Sequence, residues 1–384
     1  MTVRILLLIV ATLGTGCVNN RTTAPDLEAC REAEAEAGRM KERMQQKLLR
    51  LAQRRPDRLE VLLLSGGGRN GAWGAGVLEG WRRHPDHPRP ARFDLVTGVS
   101  TGALMATFAF LGDRELPCGE DGALLPADEA LRLAYTTTTR EDVLYSRFLP
   151  NALLFGDALN DAEPLERLLE RYLPDAVIDL VAEEGESGRQ LFVGTTNLDC
   201  GRFAIWDMVE LARERRYDTY RTVVRASAAV PLVFPPVEID GFLHADGGIR
   251  KQLFVRDVFE PFCRTLLERE DGRPRPRLVI NVLVNGPIGV PSEVVRASIA
   301  DVAERALVIL LDEALIDDLA LVSRATENVG AEFRLAYLPD EDVPPGLVTD
   351  FDPEVMRSLH ALGAAWAASR EWLEEPPSLG SVGR

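Results

Sequence analysis

Two patterns of apolar and polar residues alternate along the chain. Short apolar runs bounded by glycine or polar residues predict buried strands at residues 59–64, 93–97, 190–197, 277–285 and 332–338. Longer segments that mix apolar and polar residues predict helices at residues 27–54, 72–83, 103–111, 218–227, 291–330 and 353–374. Strands that alternate with helices in this way predict an α/β fold.

Near the start of this region a strand, a glycine-rich turn and a helix occur twice in succession. That order is typical of parallel βα units, so we expect neighbouring parallel strands there. Residues 202–206 are expected to pair with the strand at 190–197, and residues 244–248 to form a polar loop that ends in glycine.

The composition is that of an ordinary globular protein, with 46% apolar and 27% charged residues. The 384 residues carry a formal net charge of −16, which argues against broad nucleic-acid binding, because phosphate contacts need clustered lysine and arginine. Four histidines leave little room for a zinc site. We therefore expect no metal and no other cofactor.

The N-terminus has the features of an export signal. Arg4 precedes the apolar run 5–13, which is too short to span a bilayer, and the small residues 14–16 precede Cys17. This arrangement resembles a bacterial lipobox, although Gly14 stands where leucine is usual. The resemblance implies a signal peptide over 1–16 and a lipid anchor at Cys17, which would place an envelope lipoprotein at a membrane. Plain secretion with cleavage nearby is the alternative.

The remaining cysteines have no spacing typical of a metal site. In an exported protein they could form disulfides, and four cysteines allow three pairings, among which the sequence does not choose. Buried free thiols are the alternative for each. These cysteines are Cys30, Cys118, Cys200 and Cys263.

A glycine-rich turn follows the first strand, and its sequence is Gly66-Gly67-Gly68-Arg69-Asn70-Gly71. Glycines there let backbone N–H groups approach a ligand closely at a helix N-terminus, which favours negative charge. The spacing of Gly66, Gly68 and Gly71 also fits a dinucleotide-binding turn. A tight turn with a structural role alone is the third interpretation.

The second strand ends in Gly98-Val99-Ser100-Thr101-Gly102, a GxSxG sequence between a strand and a helix. This is the pattern of a nucleophile elbow, in which a sharp turn holds the serine hydroxyl clear of the backbone. The elbow argues against dinucleotide binding, which needs an acidic residue at the end of this strand, whereas Asp94 lies near its start.

A third motif, Asp246-Gly247-Gly248, is by itself an ordinary turn sequence. Beside a serine nucleophile it gains a second interpretation, because the serine needs a general base and a carboxylate can serve. His244 lies two residues earlier and permits a triad, but we favour a dyad of Ser100 and Asp246. If His244 has no catalytic role, we expect it to be a loop residue in contact with solvent.

Together the three motifs resemble the patatin-like phospholipase family, in which a glycine loop, a GxSxG serine and a later DG[AG] aspartate occur in this order. The resemblance covers about residues 60 to 289 and includes SGGGRNGAWGAG at 65–76, FDLVTGVSTGA at 93–103 and RASAAVPLVFPP at 225–236. One position departs from the family, since Asn70 stands where a basic residue is usual and Arg69 precedes it.

The resemblance implies a three-layer α/β/α sandwich with a mainly parallel sheet. It also implies a lipid acyl hydrolase that cleaves carboxylic esters through an acyl-enzyme, with Ser100 as nucleophile and Asp246 as base. The oxyanion hole would be formed by backbone amides of the glycine loop, those of Gly66, Gly67, Gly68 and Arg69. The substrate would be a phospholipid or a related lipid. Acyl transfer with the same dyad and a non-catalytic envelope scaffold are the alternatives.

We expect four parts along the chain: a signal peptide (1–16), a tether and helix (17–58), a catalytic domain (59–290) and a helical extension packed on it (291–384). Six aromatic side chains are candidates for an acyl pocket, with ordinary core packing as the favoured alternative for each. They are Trp73, Phe108, Phe110, Phe155, Phe234 and Phe254.

Overall fold

The computed structural model describes residues 25–86, 90, 92–143, 145–146, 160–161, 163–254, 258–267, 275–290, 292, 294–295, 297–344, 348–370 and 372–376. The predicted signal peptide, Cys17 and Phe155 lie outside these residues. Within the described part of the chain, every helix is too short or too polar to cross a membrane.

A central sheet of eight strands organises the described residues. The strands are β1 Arg58–Leu64, β2 Leu95–Val99, β3 Gln190–Asn197, β4 Arg202–Asp207, β5 Val237–Ile239, β6 Phe242–Asp246, β7 Arg277–Val284 and β8 Glu332–Tyr337. Their order in space is β8-β7-β1-β2-β3-β6-β5, and β4 also pairs with β3 as expected. The strands from β8 to β3 are parallel, whereas β4, β5 and β6 run antiparallel to their neighbours.

Helices cover both faces of this sheet. They are α1 Leu27–Arg54, α2 Gly71–Arg82, α3 Thr101–Leu111, α4 Ala127–Thr136, α5 Arg140–Val143, α6 Glu163–Tyr172, α7 Asp175–Glu186, α8 Met208–Arg213, α9 Tyr217–Ser227, α10 Glu260–Leu267, α11 Ile299–Val329 and α12 Pro353–Ser369. Short hairpins, Glu115–Pro117 with Leu124–Pro126 and Tyr145–Ser146 with Asn160–Asp161, lie apart from the sheet.

Alternate residues of β1 divide between two apolar cores. Leu62 and Leu64 pack in the core that contains α2 and α3, whereas Val61 and Leu63 pack in the core that contains α1 and α11. This is the two-residue period of a strand that is buried on both faces. The predicted three-layer α/β/α sandwich with a mainly parallel sheet is confirmed.

Several of the predicted boundaries are wrong by two residues or more. The helix predicted from residue 291 begins only at Ile299, and the strand predicted to end at residue 97 continues to Val99. Strand β2 begins at Leu95, not at residue 93. At Asp94 the side-chain carboxylate, rather than a backbone oxygen of β2, accepts the Glu60 N–H at 2.9 Å. Residues 244–246 are the end of β6, not a loop, since they pair with β3. The last predicted helix ends at Ser369, and Leu373 instead forms a bridge with Leu335 of β8.

Helix α1 is attached to the edge of the sheet by two kinds of contact. Cys30 and Cys200 form a disulfide with a Cα–Cα distance of 5.5 Å, which selects one pair among the open possibilities. Lys47 donates to the carboxylates of Asp207 and Glu210, each at 2.7 Å. Two further cysteines, at positions 118 and 263, are free and buried.

The register of the sheet brings the ends of three strands together. Val99, the last residue of β2, pairs with Gly194, and the next residue of β3, Thr195, pairs with Asp246. On the other side of β2, Leu64 at the end of β1 pairs with Gly98. The glycine loop, the serine turn and the aspartate therefore meet at one edge of the sheet, the carboxyl edge at which α/β folds bind ligands.

Candidate active site

Ser100 occupies the sharp turn between β2 and α3. Its backbone has φ 56° and ψ −126°, a conformation that few non-glycine residues adopt and that costs about 1–3 kcal/mol. The flanking glycines make the turn possible: a Cβ on Gly98 would lie 2.4 Å from the Gly102 oxygen, and a Cβ on Gly102 would lie 2.5 Å from the Leu64 oxygen. Each element of the GxSxG pattern thus has a steric reason here.

A buried hydroxyl holds the turn in place. The Ser100 N–H donates to Ser227 Oγ at 3.0 Å, and the Ser227 hydroxyl donates to the Gly194 oxygen at 2.6 Å. Ser227 is fully buried at the end of α9. The sequence motifs did not single out Ser227, although it lies in the segment 225–236 that carries part of the family resemblance.

Asp246 is the buried carboxylate that faces Ser100. Its Oδ1 accepts the Gly248 N–H at 2.7 Å, and its own N–H donates to the Ala229 oxygen at 2.9 Å. Burial raises the pKa of the Asp246 carboxyl to about 7, opposed by its contacts with the Ser100 hydroxyl and the Gly248 amide. Oδ2 is buried and has no hydrogen-bond partner among the described residues, and the Ser100 hydroxyl lies near enough to lower the pKa of the carboxyl.

The Gly66–Gly71 turn lies directly against Ser100, since a Cβ on Gly66 would come within 3.1 Å of the Ser100 Cβ. Two of the four predicted amide donors already have partners: the Gly66 N–H donates to Gln252 Oε1 at 3.1 Å, and the Arg69 N–H to the Val348 oxygen at 2.8 Å. The amides of Gly67 and Gly68 have no partner among the described residues. Of the four amides predicted to form an oxyanion hole, those of Gly67 and Gly68 are therefore the two that remain available to bind an oxyanion.

Gln252 links this turn to the C-terminal part of the chain. The backbone amides of Gln252 and Leu253 both donate to Asp318 Oδ2 on α11, at 2.8 and 2.9 Å. The Gln252 side chain is thereby held where its oxygen accepts the Gly66 amide. The motif pattern gave no signal for this contact, because Asp318 lies 66 residues away along the chain.

An almost wholly apolar cavity of about 100 Å³ opens beside Ser100 and Gly68. Its wall includes Leu104, Phe108, Leu131, Leu169, Phe234 and Phe351. Two of the six candidate aromatic residues, Phe108 and Phe234, therefore line an apolar pocket. Trp73, Phe110 and Phe254 are buried in the core instead.

His244 is a buried strand residue, which corrects the expectation of a loop histidine at the surface. Its Nδ1 shares a 2.9 Å hydrogen bond with Thr195 Oγ1, and its ring packs against Trp206. Burial lowers the pKa of His244 to about 4, so the ring is neutral at neutral pH. Within the described residues, no group of three or more His, Cys, Asp or Glu side chains is placed to hold a metal ion.

Comparison with known proteins gives one family match. The model of the patatin-like phospholipase family matches residues 62–259, which is more than half of the chain and contains all three motifs. No curated protein matches the chain significantly. Among solved structures, VipD from Legionella pneumophila is similar at 13% identity and a TM-score of 0.32, over 81% of this chain and 66% of that one. A likeness at this level has no bearing on function.

Proposed function

The chain belongs to the patatin-like phospholipase family, and on that premise we propose that it is a serine lipid acyl hydrolase in which Ser100 and Asp246 form the catalytic dyad. One observation carries the proposal: Ser100 lies on a strained turn and lines an apolar cavity, and the buried carboxylate of Asp246 lies beside its hydroxyl. A strained serine in such a place is typical of an activated nucleophile.

The reaction begins with proton transfer. Asp246 accepts the proton of the Ser100 hydroxyl, and the oxygen attacks the ester carbonyl to form a tetrahedral intermediate. The intermediate collapses to the acyl-enzyme, and Asp246 gives its proton to the departing alcohol. Asp246 then accepts a proton from the water that attacks the acyl-enzyme and returns it to Ser100 as the fatty acid leaves. A carboxylate whose pKa is raised to about 7 is a stronger base than a solvated one and is still ionised above neutral pH.

The developing oxyanion needs donors that are not already bonded. The amides of Gly67 and Gly68 meet this requirement, and Gly68 lines the same cavity as Ser100. A donor of this kind contributes about 3–4 kcal/mol to transition-state stabilisation. The N-terminus of α3, which begins at Thr101, adds a favourable field at the same place.

The apolar lining of the cavity suits an acyl chain. One of its walls is the face of α3 that carries Thr101, Leu104 and Phe108, and seven residues of helix rise about 10 Å. An acyl chain that lies against this face is removed from water by apolar side chains. The substrate class we propose is therefore a carboxylic ester with an apolar acyl chain, as in phospholipids or related lipids.

We further propose that the protein is exported and anchored to a membrane of the bacterial envelope through a lipid on Cys17. The signal-like N-terminus supports this proposal, and so does the bond between Cys30 and Cys200, because disulfides persist in oxidising compartments. Expression of wild type and Cys17→Ala in a bacterium supplied with labelled fatty acid tests it. Label and membrane association in wild type alone are expected, and equal behaviour of the two proteins would refute the anchor.

Labelling with a fluorophosphonate probe tests the proposed chemistry, together with turnover of p-nitrophenyl octanoate. Wild type is expected to be labelled and active, and Ser100→Ala to be neither, while retaining its cooperative thermal unfolding. An unlabelled, inactive wild type or an active Ser100→Ala would rule the proposal out. Assays with a lipid alcohol present distinguish hydrolysis from acyl transfer, since only transfer yields a new ester.

A further inference from the structure

Residues 348–352 cross the glycine loop on their way from β8 to α12. The Val348 oxygen accepts the Arg69 N–H at 2.8 Å. The approach is so close that a Cβ on Gly68 would lie 2.3 Å from the same oxygen. This segment lies beyond residue 259, where the family match ends.

The Arg69 side chain also forms hydrogen bonds with the backbone of this part of the chain. Its guanidinium is buried and donates to the Pro344 oxygen at 2.9 Å and to the Asp350 oxygen at 3.4 Å. The carboxylates of Asp350 and Asp352 oppose the fall in the Arg69 pKa that burial causes. The two terminal nitrogens of the guanidinium each donate to one of these carbonyl oxygens. Lysine, with a single nitrogen, lacks this planar pair of donors.

The same segment forms part of the cavity wall. Thr349 and Phe351 line the cavity, together with Met356 from the start of α12. The cavity is also lined by Leu104 and Phe108 of α3, which lie inside the family match. The pocket is therefore built from both the catalytic domain and the C-terminal extension.

We propose that Phe351 is a specificity-determining residue for the acyl chain and that Arg69 is the positioning residue that holds Phe351 in the cavity wall. Phe351 presents a large apolar side chain to the cavity that Ser100 also lines, so its volume limits the chain that fits. Arg69 acts through the backbone of the segment and does not contact the acyl group. This inference rests on the proposed hydrolase activity and goes beyond it to the choice of substrate.

Chain-length profiles test the proposal. We would measure kcat and KM for p-nitrophenyl esters from butyrate to palmitate with wild type, Phe351→Ala and Phe351→Trp. The ratio of kcat/KM for laurate to that for butyrate is expected to rise roughly tenfold in Phe351→Ala and to fall by a similar factor in Phe351→Trp. A residue that merely supports the fold would not move this ratio in opposite directions.

Arg69→Lys keeps the positive charge and removes the planar pair of N–H donors that binds the Pro344 and Asp350 oxygens. We expect its laurate-to-butyrate ratio to move in the direction of Phe351→Ala, mainly through KM for the longer ester. Arg140→Lys is the matched control, because Arg140 lies 3.7 Å from the Asp350 carboxylate on the exposed side of the same segment. That control is expected to keep the wild-type profile.

The outcomes separate the two proposals. If wild type is not labelled by the fluorophosphonate probe, the hydrolase itself is refuted. If wild type is labelled and active but both Phe351 variants keep its ratio, or shift it the same way, the specificity role of Phe351 is refuted. If Arg69→Lys folds and keeps the wild-type ratio, Arg69 does not position the wall. Should Arg69→Lys fail to fold, Arg69→Met is measured in its place.

Discussion

Ser227 holds the amide of Ser100 by accepting its hydrogen bond at 3.0 Å, and its own hydroxyl donates a hydrogen bond to the Gly194 oxygen at 2.6 Å. One hydroxyl thus connects the end of α9, the strained turn and the central strand β3. Gly194 is also the residue opposite Val99 in the sheet. The geometry of the nucleophile therefore depends on a residue that takes no part in the chemistry.

Ser227→Ala should weaken both stability and turnover. It leaves the Ser100 N–H and the Gly194 oxygen buried without this partner, which costs about 1–3 kcal/mol of unfolding free energy. Turnover should fall at least tenfold because the turn loses its anchor, and denaturant unfolding with p-nitrophenyl octanoate kinetics measures both. Ser369→Ala is the control, since Ser369 is an exposed helical serine. Unchanged kcat in Ser227→Ala would refute the anchoring role.

The backbone of Ser100 makes a second prediction about stability. Ala at this position keeps the strained φ of 56°, whereas Gly adopts it freely. Ser100→Gly should therefore be more stable than Ser100→Ala by about 1 kcal/mol, after the entropy that glycine adds to the unfolded chain. Thermal or urea unfolding of the two inactive proteins side by side measures the difference. An alanine variant at least as stable as the glycine variant would show that the turn is unstrained.

Much of the fold and the dyad can be predicted from local sequence. The strand predicted at 190–197 has the same bounds in the structure, because its apolar residues 191–193 and the β-branched Thr195 and Thr196 favour a strand that is buried on both faces. The GxSxG turn is likewise predictable, since each glycine relieves a contact within a few residues or with the neighbouring strand.

The rest of the site depends on contacts between distant residues. Ser227 meets Ser100 across 127 positions, and Arg69 meets Asp350 across 281. Nothing in the local pattern around Arg69 indicates that its amide is already bonded or that its side chain is buried. The choice of Cys30 with Cys200 has the same origin, because it depends on how α1 packs beside β4.

Activity should increase with pH through about 7. Asp246 must be ionised to accept the serine proton, and burial raises the pKa of its carboxyl to about 7. The kcat/KM for a neutral ester should therefore be half-maximal near that pH and flat above it, as a pH profile between 4 and 9 measures. Asp246→Asn should be inactive throughout. A profile that is half-maximal near pH 4 would contradict a raised pKa.

The same carboxyl predicts how stability depends on pH. Below its ordinary pKa of 3.8 the group is protonated in both states and contributes nothing. Between about pH 4 and 7 the unfolded chain ionises while the folded state keeps its proton, so stability falls as pH rises. Asp246→Asn lacks this loss, and its unfolding free energy relative to wild type should rise on the order of 2–4 kcal/mol over the window. A difference that stays constant with pH would contradict the assignment.

The disulfide between Cys30 and Cys200 should stabilise the chain without serving the chemistry. It closes a loop of 170 residues, and removal of such a bond typically costs about 2–4 kcal/mol. The double variant Cys30→Ser/Cys200→Ser should unfold at a lower denaturant concentration than oxidised wild type, and reductant should leave its unfolding midpoint unchanged. The midpoint of wild type should fall on reduction. Fluorophosphonate labelling at low temperature should persist in both. Equal midpoints for oxidised and reduced wild type would show that the bond contributes nothing.

Gly68→Ala should abolish most activity through packing rather than through backbone strain. The residue has φ +56°, which costs alanine about 1–2 kcal/mol, and its Cβ would also lie 2.3 Å from the Val348 oxygen. Segment and loop must then separate, which displaces an oxyanion donor and should lower kcat by about 10²–10³. Gly330→Ala is the matched control, because Gly330 has φ +65° and nothing within 4 Å of its Cβ position. Gly330→Ala should lose only the stability that backbone strain costs and should keep its kcat, so equal kcat in the two variants would exclude Gly68 from the oxyanion hole.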